Sequence, residues 1–151
     1  CLVATAVRHE MRLISVILGA NSENSRAGES LKLLTYGFRF YETIELYQAN
    51  QVLVEPKIWM GEKSKIKLGI TNDLWITIPR SSEENIQSKL DFPAEIHAPI
   101  ESGDAPGTVE ISLNGKPIAS RPLTALETIP EVGFFKRIWH HILLFFNNLF
   151  Q

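Results

Sequence analysis

Gly107-Thr108-Val109-Glu110-Ile111-Ser112-Leu113-Asn114-Gly115-Lys116-Pro117-Ile118-Ala119-Ser120-Arg121-Pro122 reads as two β-type runs joined by an Asn-Gly pair. A type I′ turn needs positive φ at both central positions, and Asn-Gly adopts it readily, so the stretch predicts a hairpin over 107–113 and 116–122. Four further β-type runs lie upstream at 51–54, 57–60, 65–71 and 74–79, broken by Pro, Gly, Asn and Asp. Many short strands with frequent breaks predict a small β-sandwich or barrel from about residue 43 to residue 130. Trp59, Trp75 and the other central aromatics are expected in its core.

Composition changes on the N-terminal side. None of the eight prolines falls in residues 1–42 and the first is Pro56, which suggests a boundary near Glu42 and Thr43. Residues 2–7 and 11–18 are two apolar runs around the short turn Arg8-His9-Glu10, a hairpin pattern. Both are apolar on both faces, as in strands covered on each side of a sheet. The polar loop Asn21-Ser22-Glu23-Asn24-Ser25 offers helix caps. Ala27, Leu31, Leu34, Phe38 and Tyr41 then recur at intervals of four, three, four and three, one face of an amphipathic helix. Gly28 and Gly37 would weaken that helix unless they serve a close approach to the sheet. The chain opens inside an apolar run with no initiator Met and no signal-peptide pattern, so an upstream part is expected to be missing.

The C-terminal side differs again. All seventeen acidic residues and thirteen of the fifteen basic ones precede Val132, so the body nets −4 and the tail, through Lys136 and Arg137, +2. At about 100° per residue, Lys136, Arg137, His140, His141, Asn147, Asn148 and Gln151 share a polar arc that only Leu144 interrupts. Phe134, Phe135, Ile138, Trp139, Ile142, Leu143, Phe145, Phe146, Leu149 and Phe150 form the opposite arc. Six polar side chains between Lys136 and Asn148 are too many for a bilayer-spanning helix. The pattern fits a helix lying in a membrane interface, cationic face toward the headgroups. The alternative is a terminal helix docked in a protein groove.

Other classes of chemistry find little support. A formal net charge of −2 argues against nucleic-acid binding over the surface. The single cysteine, Cys1, excludes an internal disulfide and a cysteine-based zinc cluster. His9 and His97 have no spaced partners, and His140 and His141 diverge by about 100° on a helix, so no metal site is expected. Ser64-Lys65-Ile66-Lys67 matches Ser-x-x-Lys, but the lysine must reach the serine to activate it. On the strand expected over 65–71, residues three apart point to opposite faces. Ser22-Glu23-Asn24 matches Ser-x-Asn but is better read as a capping loop. Lys-Thr-Gly and Gly-x-Ser-x-Gly are absent. Arg26 is the one candidate for a functional role. At the start of a helix, where the dipole already favours anions, a guanidinium can hold a carboxylate in bidentate fashion. By itself, a single arginine on a loop defaults to a solvated surface residue.

Leu2-Val3-Ala4-Thr5-Ala6, Met11-Arg12-Leu13-Ile14-Ser15-Val16 and Gly19 resemble the strands that follow the Lys-Thr-Gly box of low-molecular-mass penicillin-binding proteins. The run Glu29-Ser30, Lys32-Leu33-Leu34-Thr35-Tyr36-Gly37-Phe38-Arg39-Phe40-Tyr41-Glu42 is similar to the last helix of their catalytic domain. Leu74-Trp75-Ile76-Thr77-Ile78-Pro79-Arg80, His97-Ala98-Pro99, Arg121-Pro122-Leu123 and Ile129-Pro130-Glu131, with Gly133-Phe134-Phe135, resemble the second domain and terminal anchor of the penicillin-binding protein 5 and 6 type. The resemblance spans essentially the whole chain. It implies a mainly β chain: the C-terminal remnant of an α/β transpeptidase-like domain (1–42, hairpin plus helix), a small β-sandwich (43–131), and an amphipathic membrane-anchor helix (132–151).

The implied parent enzyme is a serine-type D-Ala-D-Ala carboxypeptidase that trims peptidoglycan stem peptides through an acyl-serine intermediate. It binds β-lactams and uses no metal or organic cofactor. Its catalytic motifs would lie before residue 1, so no catalytic residue carries over. Arg26, within Asn24-Ser25-Arg26-Ala27-Gly28-Glu29-Ser30, matches the family arginine that contacts the substrate carboxylate. Phe134, Phe135, Ile138, Trp139, Ile142, Phe145, Phe146, Leu149 and Phe150, with Lys136 and Arg137, match the anchor to the periplasmic face of the inner membrane. The rival expectation is a non-enzymatic, membrane-associated β-sandwich binding module of the cell envelope.

Overall fold

The structure, a computed structural model, describes residues 1–133; of the anchor expected over 132–151, residues 134–151 lie outside the described residues. The described chain is mostly strands with one α-helix: β1 (Leu2–Arg8), β2 (Met11–Ile17), α1 (Glu23–Phe40), β3 (Tyr41–Tyr47), β4 (Val52–Val54), β5 (Ile58–Trp59), β6 (Leu68–Gly69), β7 (Leu74–Pro79), β8 (Ile86–Asp91), β9 (Ile96–His97), β10 (Gly107–Leu113) and β11 (Lys116–Ala125).

The Asn-Gly hairpin forms as expected. Leu113 pairs with Lys116 around a two-residue turn in which Asn114 and Gly115 have φ of 51° and 75°. Strands β10 and β11 are the middle of a five-stranded sheet ordered β4-β6-β11-β10-β8. Strand β6 pairs with β11 only at Thr124 and Ala125. Residues 116–122 therefore form an edge on that side, which is where Pro117 and Pro122 can sit without costing a ladder bond. The β3–β7 ladder carries the second apolar layer, in which Leu74, Ile76 and Ile78 are buried together with Val109 and Ile111 of β10. A second cluster joins Ile58, Ile66, Leu68, Ile96, Leu123 and Ile129. Gly69 is required where β4 and β6 meet, because a Cβ there would collide with the Gln51 carbonyl.

The N-terminal layer is a hairpin with α1 on one face. Strands β1 and β2 pair from Leu2 with Ile17 to Arg8 with Met11. The tip residues His9 and Glu10 take φ of 47° and 63°, the I′ geometry without a glycine. Met11, Ser15 and Ile17 point toward α1 and are buried. Gly37 lies so close to β2 that a Cβ would strike Leu13.

Several expectations are corrected. Phe38 is buried as expected, but Ala27 is exposed and Leu31 65% exposed, because the helix turns Ser30 and Gly37, beside Phe38, toward the sheet. Gly28 has open space around it, so it serves no close approach. Tyr41 ends the helix and begins β3 with no connecting residue. Trp59 and Trp75 are 42% and 44% exposed, since the period-two alternation that buries Ile58, Leu74 and Ile76 turns their neighbours outward. The hairpin is covered on one face only: Val3, Val7, Ile14 and Val16 are all more than half exposed. The 65–71 strand shrinks to Leu68–Gly69, although residues 65–68 keep the in-out alternation of extended chain.

Ile66 has no exposed surface and lies in the cluster with Leu68 and Leu123. Ile66→Ala is expected to lower stability by about 2–5 kcal/mol in urea unfolding, whereas Ile118→Ala, at a position 44% exposed, should cost under about 1 kcal/mol.

Candidate functional site

The helix begins where its sequence offers a cap. Ser22 accepts a hydrogen bond from Ser25 N at 3.1 Å, and Arg26 N donates to Ser22 O at 3.1 Å. Ser22-Glu23-Asn24 is thus a capping turn. Arg26 sits in the first turn of α1, half-buried, one turn before the buried Ser30, whose hydroxyl pairs with Ser15 of β2 at 2.5 Å. That places Arg26 near the end of the hairpin opposite its His9-Glu10 tip. A cation in the first turn opposes the helix dipole. Among the described residues no carboxylate lies within ion-pair distance of its guanidinium.

Ser64 and Lys67 do not make a nucleophile pair. Ser64 lies in a bend and Lys67 just before β6, with Ile66 buried between exposed neighbours, and no hydrogen bond among the described residues joins the two side chains. Among the described residues there is also no group of three or more His, Cys, Asp or Glu able to hold a metal ion. Among the described residues the one carboxylate within ion-pair distance of the His97 imidazole is Glu95, at 3.5 Å.

A feature that the sequence did not reveal is the joint between the helical layer and the sandwich. Arg80, just after β7, donates from its guanidinium to Phe38 O at 3.1 Å and to Glu42 at 3.4 Å, and its backbone N–H donates to Phe40 O at 2.9 Å. Glu42 also accepts from Ser81 N at 3.1 Å. The helix C-terminus, whose last carbonyls lack partners within the helix, is thereby satisfied by a cation, the favourable sign for that end. The Arg8 guanidinium stands 4.9 Å over the Phe38 ring, and a cavity of about 250 Å³ lies between Arg8, Met11, Phe38, Glu42 and Arg80. The only hint in the sequence was an arginine following the Ile78-Pro79 strand end.

Residues 41–131 match the family model described as "Penicillin-binding protein 5, C-terminal domain". The chain belongs to that family. The β-sandwich, from β3 to the bridge at Glu131, is its C-terminal domain, while the hairpin and α1 precede the matched region. Over 150 residues the chain is 40% identical to D-alanyl-D-alanine carboxypeptidase DacC and 37% identical to DacA, both of Escherichia coli (strain K12), covering 99% of this chain and 38% and 37% of those proteins. Among solved structures, penicillin-binding protein 5 from Haemophilus influenzae superposes with a TM-score of 0.79 at 35% identity, covering 86% of this chain and 38% of that one. The chain therefore spans well under half the length of the relatives it matches. No helix among the described residues is long and apolar enough to cross a membrane.

Two predictions test the joint and the one shifted carboxylate. Arg80→Ala should cost about 1–3 kcal/mol, chiefly through the part-buried bond to the Phe38 carbonyl. Its double-mutant coupling to Glu42→Gln should be under about 1 kcal/mol, because the pair is partly exposed. The Lys63 ammonium, hydrogen-bonded to Glu127, holds that carboxyl below the ordinary range. A lowered folded pKa stabilises above the unfolded value and is lost as pH falls through the folded one. The stability difference between the parent and Lys63→Ala, under about 1 kcal/mol for this surface pair, should therefore be constant near neutral pH and vanish in acid. Carboxyl NMR should show the Glu127 midpoint rising in the variant.

Proposed function

We propose that the chain is the C-terminal portion of a serine D-alanyl-D-alanine carboxypeptidase of the bacterial cell envelope. Residues 1–42 complete its catalytic domain, 43–131 form a β-sandwich pedestal, and 132–151 are an amphipathic anchor on the periplasmic face of the inner membrane. The observation that carries this reading is the alignment of nearly the whole chain with relatives named as carboxypeptidases, together with the family match of the sandwich. The uncovered apolar face of the hairpin supports it independently, because a sheet apolar on both sides needs a second covering layer.

In this reading a serine supplied by the remainder of the polypeptide attacks the carbonyl of the penultimate D-Ala. The amide breaks, the terminal D-Ala leaves with a proton on its nitrogen, and water hydrolyses the acyl-serine ester. Arg26 takes no part in bond making. Its guanidinium holds the terminal carboxylate of the stem peptide, or the carboxylate of a β-lactam, at the start of α1. The polar face of the tail, with Lys136 and Arg137, meets lipid headgroups, while the Phe134 to Phe150 face enters the leaflet.

The second reading, a non-enzymatic envelope module, applies to the 151 residues taken alone, and is favoured by the lack of any hydrogen bond between the Ser64 and Lys67 side chains among the described residues. Labelled penicillin separates the two. The intact polypeptide should acylate and the 151-residue chain should not; acylation of the short chain would place a nucleophile within it. In the intact enzyme Arg26→Ala should raise KM for a D-Ala-D-Ala peptide by about tenfold to a hundredfold, the value of a charged hydrogen-bond pair. Deleting residues 133–151 should release the enzyme from membranes and spare hydrolysis of small soluble substrates. Retention on membranes after that deletion would contradict the anchor.

A further inference from the structure

The chain entering the tail is fastened to one loop of the sandwich. Val132 N donates to Met60 O at 2.7 Å, Glu62 N donates to Pro130 O at 3.1 Å, and Gly61 bridges Glu131. Residues 59–62 and 130–132 thus share one end of the domain. That end exposes apolar surface: Trp59, Met60 and Val132 are 42%, 57% and 63% exposed. Met60 is held at a φ of 57°, unusual for a residue of its size.

The same end carries two lysines with no ion-pair partner among the described residues. Lys57 and Lys65 oppose each other across an isolated antiparallel bridge, a like-charge pairing that is destabilising. Among the described residues neither has a carboxylate within 4 Å. The Lys57 ammonium lies 3.5 Å from the centre of the Trp59 ring, so cation and aromatic share a face. Lys63 is neutralised by Glu127, and Glu62 and Glu131 are exposed acids beside the loop. Glu62 and Glu131 balance Lys57 and Lys65 in net charge, so what this end offers an anion is the local pair of ammonium groups beside Trp59 and not a net positive field.

We infer that Lys57, Trp59, Met60 and Lys65, with Val132, form a foot that seats on an anionic lipid surface beside the tail. This rests on the membrane role proposed for residues 133–151 and adds a folded contact to it. An anionic leaflet supplies what this end lacks: phosphates for two unpaired ammonium groups, and an apolar layer for Met60 and Val132 beneath an indole at headgroup depth. The hydrogen bond from Val132 to Met60 sets the loop next to the point where the tail begins, so a surface that the tail enters lies within reach of the foot. Two contacts, one folded and one in the tail, would fix the tilt of the sandwich on the membrane as well as its attachment.

The test uses the intact polypeptide carrying this chain, its cysteines replaced by serine, Cys1 included, and a nitroxide attached through M60C. Vesicles of phosphatidylcholine with and without phosphatidylglycerol are the probe. On the anionic vesicles the label should become shielded from a water-soluble relaxing agent and accessible to dissolved oxygen. K57E/K65E should weaken partitioning onto them at least about tenfold, whereas K89E/K116E, an equal charge change elsewhere on the sandwich, should change it less than about threefold. Vesicle binding with the label still open to water, and K57E/K65E partitioning like the parent, would overturn the foot and leave the tail's role standing. A label already shielded without vesicles would mean that the tail covers the loop, which also overturns it. Failure of the intact protein to bind vesicles at all would remove the membrane role of the tail, and the foot with it.

Discussion

Helix α1 covers one face of the β1–β2 hairpin and leaves the other to water. Ser15, Ile17 and Met11 meet the helix, while Val3, Val7, Ile14 and Val16 on the reverse face have no partner among the described residues. A strand pair of this kind is marginal in isolation, because roughly half of its apolar surface brings no stabilisation until a further layer covers it. The sandwich is different. Its two clusters are sealed, with Ile66, Leu68, Ile78, Val109, Ile111, Leu123 and Ile129 almost wholly out of solvent. The chain therefore combines two sealed apolar clusters with a hairpin layer whose reverse face is uncovered among the described residues.

The connection between them is short and polar. Strand β3 follows α1 directly, and the Arg80 guanidinium ties the last helical turn to the end of β7. Because Glu42 is shared by Arg80 and the Ser81 N–H, the joint is a small network and not one surface ion pair. Its partial exposure keeps each bond modest, so the network's effect is to set orientation more than to stabilise. In the proposed reading this is what allows a pedestal to hold a catalytic domain at a defined attitude above a membrane.

Much of this was legible in the residues, and the failures have physical causes. Asn114-Gly115 announced its hairpin because few other pairs adopt positive φ twice, and β7 was readable from its alternation. Ser22 was readable as a cap by its chemistry. Strand β3 was missed because no turn residue separates it from the helix, and Tyr41 happens to continue the helical spacing from Phe38. Strand β8, Ile-Gln-Ser-Lys-Leu-Asp, is an edge whose polarity hides it, and β9 is two residues long. The outward turn of Trp59 and Trp75 depends on register, which composition does not set. Arg26 could be singled out by its position at a helix start, but that no carboxylate among the described residues pairs with it is visible only in three dimensions.

The central claim, that the hairpin layer depends on a covering from the rest of the polypeptide while the sandwich does not, is tested most directly by amide hydrogen exchange. The 151-residue chain and the intact polypeptide would be measured side by side. The account predicts that amides of β1 and β2 exchange close to the unfolded rate in the short chain and become strongly protected in the intact protein, with β10 and β11 equally protected in both. Equal, strong protection of β1 and β2 in the short chain would contradict it.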